Sequence, residues 1–186
     1  MPKRRSPNRA RARASVRQEI YDAGEILYPD IIMVYHPDVI VQGKSYTMPF
    51  FSGIKRDGVI LVNSNKPLDF SVEENERLRD LNVKVHFFPA TETARELVGT
   101  DLSTNVAMLG ALLGVTEIVS FDALSESLRE RFGGSAKFVA SGTTAVLDDA
   151  VKAQYGKIEK LIAANTKVLE ETYRRASAAV AADTRG

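Results

Sequence analysis

Apolar residues concentrate in three short runs over the first half of the chain and settle into a helical rhythm over the second half. Asp30-Ile31-Ile32-Met33-Val34-Tyr35 and Val59 to Val62 are continuous apolar runs, the pattern of strands buried on both faces of a parallel sheet. A third strand, Val83 to Phe88, closes at Pro89. Between the second and third, Ser71 and Glu74 have capping-box spacing and predict a helix from Val72 to Leu81. Strand, helix and strand in that order build right-handed βαβ crossovers. The expected fold class is therefore α/β, an open, mostly parallel, Rossmann-like sheet flanked by helices.

Residues 99–133 predict two helices in series. The first, Thr104 to Leu113, is apolar nearly all round and carries small residues at Ala107, Gly110 and Ala111, so other backbone can approach it closely. The second starts at Ser120, keeps Phe121, Leu124, Leu128 and Phe132 on one stripe, and stops at Gly133-Gly134. Beyond Gly133 the sequence turns Ala-rich. It predicts helices over 143–153 and 155–176, separated at Gly156, with the residues from Ala176 onward fraying. A basic arm (1–17), an α/β domain (18–136) and a C-terminal helical extension (137–186) are the expected units.

In a parallel sheet, the loops leaving the carboxyl ends of the strands share one edge, where ligands bind. Here they are His36-Pro37-Asp38, Asn63-Ser64-Asn65-Lys66 and Ala90-Thr91-Glu92. Asn63, Ser64 and Lys66 offer an amide, a hydroxyl and a cation. They are equally the residue types a turn after a strand requires. His36 reads as an acid–base candidate or a loop residue, and His86 as a residue satisfied within the sheet. There is no GxSxG, SxxK, Walker A or GxGxxG motif, so the common nucleophile and phosphate-loop signatures are missing.

Composition narrows the picture further. The chain has no cysteine, so it cannot supply thiolates to an iron–sulfur cluster. Its longest apolar run, Val106 to Val115, is about half of a membrane span, and a cytoplasmic protein without membrane contact is expected. The net charge of +1 conceals an asymmetry: seven basic residues fall within the first 17 positions, leaving 18 against 24 acidic residues elsewhere. The arm reads as a solvated tail, a segment docked on an acidic partner, or a nucleic-acid contact. No aromatic residue is interleaved with its arginines, so nucleic acid is the least supported of the three. Alternation over Arg11 to Arg17 is compatible with an edge strand.

The run Thr104-Asn105-Val106-Ala107-Met108-Leu109-Gly110-Ala111-Leu112, continued by Ile118-Val119-Ser120 and Leu124 to Phe132, resembles the gamma subunit or domain of 2-oxoacid:ferredoxin oxidoreductases, the pyruvate synthase group. Three earlier segments resemble it too: Pro29 to Val34 with His36-Pro37, Gly53 to Ser64, and Phe88 to Glu92. The resemblance implies a non-catalytic gamma subunit of a complex that converts a 2-oxoacid, coenzyme A and oxidised ferredoxin to acyl-CoA, carbon dioxide and reduced ferredoxin. Its partners would be the alpha (and beta or delta) subunits, with ferredoxin as acceptor. Thiamine diphosphate, Mg2+ and iron–sulfur clusters would lie on or with those subunits. The family's opening strand, Gly-rich loop and helix have no counterpart here. On this resemblance Asn63, Ser64 and Lys66 are the residues expected on the coenzyme A side, and Asn105 would orient the loop before its helix. A different class of function also fits the pattern: an α/β scaffold or interaction module with no role in turnover.

Overall fold

Three parallel strands in the order β1-β2-β3 form the sheet: β1 Ile31–Val34, β2 Val59–Asn63 and β3 Lys84–Phe88. The computed structural model describes residues 26–42, 48–133 and 145–183. The basic arm and the alternating segment from Arg11 to Arg17 lie outside the described residues. β1 pairs Ile31 with Val59 and Val34 with Val62, and β2 pairs Val59 with Lys84 and Asn63 with Phe88. All three strands predicted from the apolar runs are present.

Both crossovers lie on one face. The first contains the one-turn helix α1, Asp38–Val41, and the second contains α2, Val72–Asp80. The α2 start is the predicted capping box: Ser71 Oγ accepts from the Glu74 amide at 3.2 Å, and Glu74 Oε2 accepts from the Ser71 amide at 2.7 Å. Ile40, Phe51, Ile54 and Leu78 pack there on Val34, Ile60 and Val62. Gly53 lets this segment pass close to the chain before β1. Its φ is +81°, and any Cβ would lie 2.2 Å from the Leu27 carbonyl oxygen.

The other face is covered by α3, Ala90–Val98, α4, Thr104–Thr116, and α6, Ala145–Asp183. Helix α5, Phe121–Gly133, packs outside them, with Phe121 5.3 Å from the Tyr173 ring of α6. As its sequence predicts, α4 is buried almost all round, through Val106, Ala107, Met108, Gly110, Ala111, Leu112 and Leu113. The small residues let α6 approach to backbone contact. A Cβ at Gly110 would stand 2.1 Å from Thr172 Oγ1 and 2.7 Å from the Leu169 carbonyl oxygen. One at Gly114 would stand 2.7 Å from the Ala176 Cβ.

Three expectations change. The segment Ala90-Thr91-Glu92 is not a loop. It is the first turn of α3, because β3 passes through Pro89 straight into a helix that buries Ala90, Thr93 and Ala94. The C-terminal region is one helix of 39 residues, about 58 Å long, without a break at Gly156. A single glycine costs a helix only about 1 kcal/mol, and packing further along α6 exceeds that. The residues after Ala176 continue this helix to Asp183, with Ala176 itself buried against α4.

Candidate functional site

The carboxyl ends of the strands do converge, and Asn63 is what joins them. It is the last residue of β2 and faces the α3 and α4 side, in register with Phe88. Its amide nitrogen donates to the Tyr35 carbonyl oxygen at 2.9 Å and to Thr91 Oγ1 at 2.8 Å. Its amide oxygen accepts from the Thr91 backbone N–H at 3.2 Å. One side chain thus ties the exit of β1 to the first turn of α3. Thr104 Oγ1, at the start of α4, donates to the Asp101 carbonyl at 2.7 Å and lies 3.4 Å from Thr91 Oγ1, which extends the chain of contacts.

Ser64 is equally occupied. Its hydroxyl donates to the Lys66 carbonyl at 2.7 Å, and its backbone N–H donates to the Phe88 carbonyl at 3.1 Å. These bonds hold the turn 64–66 against the end of β3. Lys66 is exposed and its ammonium has no ion-pair partner among the described residues. Of the three residues expected on the coenzyme A side, Asn63 and Ser64 therefore commit their side chains to internal bonds, and Lys66 is exposed.

At the exit of β1, His36 Nδ1 accepts from the Asp38 backbone N–H at 3.2 Å and lies 3.5 Å from the Asp38 carboxylate. Both side chains are exposed. His86 lies half-buried within β3. Asn105 is exposed and its side-chain oxygen accepts from the neighbouring Val106 amide at 2.9 Å, so it bonds within α4 rather than to the preceding loop. Among the described residues no group of three or more His, Asp or Glu side chains could hold a metal ion.

Beside this junction lies a cleft of about 390 Å³. Val85 to Phe88 of β3, with Pro89 after it, form one wall. Ala176, Ala179 and Val180 of α6 form the other, and Ser64 to Pro67 close one end.

Two contacts invisible to sequence reasoning fix α6 across the site. Ser103, at the start of α4, donates to Asn165 Oδ1 at 2.8 Å in a buried pair, in place of capping its own helix. On the outer side, Arg175 forms a bidentate pair with Glu96 of α3, at 2.9 and 2.7 Å, while also bonding Glu171 at 2.7 Å. Hydrogen bonds from Arg174 and Arg175 lower the Glu171 carboxyl to about 2, and Arg175 likewise lowers Glu96. Partners 62 and 79 residues apart leave no local pattern to detect.

A three-stranded parallel sheet covered by helices on both faces, with its strand exits tied together by one asparagine, defines an α/β domain. The family model for pyruvate ferredoxin/flavodoxin oxidoreductase matches residues 1–147, and the chain belongs to that family. It is 36% identical over 131 residues to the pyruvate synthase subunit PorC of Methanothermobacter thermautotrophicus, covering 69% of this chain and 63% of that protein. It is also 33% identical over 122 residues to the 2-oxoglutarate synthase subunit KorC of the same organism, covering 65% of this chain and 62% of that one. The chain thus spans a little under two thirds of the length of these relatives. The crystal structure of pyruvate oxidoreductase subunit PORC from Thermotoga maritima shares the fold, with a TM-score of 0.50 and 22% identity over 80% of this chain and 64% of that one.

Proposed function

We propose that the chain is a non-catalytic gamma-type subunit of a multisubunit 2-oxoacid:ferredoxin oxidoreductase. The complex would convert a 2-oxoacid, coenzyme A and oxidised ferredoxin to acyl-CoA, carbon dioxide and reduced ferredoxin. The observation that carries this reading is the family match across residues 1–147, which takes in the whole sheet and α3 to α5. Two further features support it. Without cysteine the chain has no thiolate for the clusters that pass electrons to ferredoxin. The strand exits are held by Asn63 and Thr91 in a fixed arrangement suited to positioning other chains rather than to performing chemistry.

On this reading the thiamine, Mg2+ and cluster sites belong to alpha, beta or delta partners, and this domain keeps them in register in the cytoplasm. The test is purification of the tagged chain from its native cell. Thiamine- and cluster-binding partners should come with it, and reduction of a viologen dye by a 2-oxoacid should occur in the assembled fraction and not with the chain alone. Recovery as a solitary monomer refutes the proposal. Recovery in a complex whose turnover is unchanged by omitting this chain favours a scaffold instead.

A further inference from the structure

The outer edge of β3 and the cleft beside it lie next to the locked junction and share with it the turn 64–66. In a parallel ladder, the N–H and C=O of one residue point to the same side of the strand, and successive residues alternate. Lys84 donates its backbone N–H to Gly58, and Phe88 accepts from the Ser64 amide, so Lys84, His86 and Phe88 face β2. Val85 and Phe87 therefore direct their backbone groups away from the sheet, and among the described residues β3 is the last strand on that side. An edge strand of this kind is a template for another strand. The edge is not flat and open: Val85 to Pro89 line the cleft along their length, and Ala176, Ala179 and Val180, on one stripe of α6, form its far wall. Small side chains there leave room for a backbone with modest side chains. Lys66 sets an exposed positive charge at one end of the cleft, and the exposed Lys84 stands at the opposite end of β3.

We propose that this groove receives an extended segment of a partner subunit, added as a fourth strand along β3. Its backbone bonds Val85 and Phe87, its small apolar side chains point toward α6, and an acidic residue meets Lys66. Strand addition takes its affinity from main-chain bonds and its specificity from the alternate side chains. The identity of the partner as an oxidoreductase subunit rests on the function proposed above. The groove itself is tested without it.

The experiment measures amide hydrogen exchange at Val85 and Phe87 in the full chain, with and without a synthetic heptapeptide that alternates valine and alanine between terminal aspartates. The peptide should slow exchange at both amides at least tenfold. The same peptide N-methylated at alternate positions should not, and Lys66→Glu should weaken binding at least threefold. Val85→Pro, which removes an outward N–H without touching the β2 ladder, should abolish the protection, with circular dichroism confirming that the fold is retained. Unchanged exchange, equal binding of the two peptides, or protection already present in a dimer of this chain would overturn the proposal. A positive peptide result with no partners in the purification leaves the groove standing and removes the subunit reading.

Discussion

The two faces of the sheet are packed by opposite means. On the crossover side the filling is aromatic: Phe50 meets Phe51 edge-on at 5.2 Å and lies 6.1 Å from Phe70, which lies 6.4 Å from Phe87. On the helical side the closest contacts are made by glycine and alanine, where α4 and α6 approach to backbone distance at Gly110 and Gly114. Large rings fill space and can shift as a group. A helix pair in backbone contact has no slack. The α4–α6 contact is therefore sensitive to added volume, and the ring cluster to its loss.

Loss of volume should be most costly on the aromatic face. Phe51 is fully buried, and Phe51→Ala should destabilise the chain by about 3–5 kcal/mol in urea unfolding, whereas Phe51→Leu should cost much less. A single added methyl tests the α4–α6 contact directly. Gly110→Ala should cost about 1–3 kcal/mol, because the Leu169 carbonyl is backbone and cannot rotate away. Gly156→Ala adds the same methyl to α6 where nothing lies within 4 Å, and should stabilise by up to about 1 kcal/mol. If Gly110→Ala proves neutral, the contrast between the faces fails.

Acid gives a smaller effect on the helical side. Glu171, lowered to about 2, contributes stability that is present above its ordinary value of 4.5 and lost as pH falls toward about 2, and the lowered Glu96 acts in the same direction. Glu96 is exposed and Glu171 half-exposed at the surface, so solvent screens them and the loss is modest. Thermal melts between pH 5 and pH 2.5 should show a decline that is shallower for Glu171→Gln. The smallest expected change is at the end of α4. There Glu117 holds a left-handed conformation with φ of 50°, and Glu117→Gly should raise stability by roughly 1 kcal/mol.

What the sequence discloses follows the range of the interaction. The strands, the α2 capping box and the all-round apolar α4 depend on neighbours within a few residues, and each is where its pattern puts it. The turn before α3 misleads because Pro89 usually ends an element, whereas here it sits between a strand and the helix that follows at once. Asn63 reads as a turn residue or a ligand residue, yet its partners are Tyr35 and Thr91, each 28 residues away. The unbroken course of α6 through Gly156 depends on contacts with α4, and no propensity within 145–183 carries that information.

The family match ends at residue 147, within the first turn of α6, while Val168, Leu169 and Ala176 from further along that helix belong to the same core cluster as Leu61, Met108 and Ala111. The unit of homology and the unit of folding in this chain therefore have different ends. A fragment cut at the family boundary would expose Gly110 and Gly114 to water and leave the buried Ser103 hydroxyl without Asn165. It should behave as an aggregation-prone intermediate rather than as a domain.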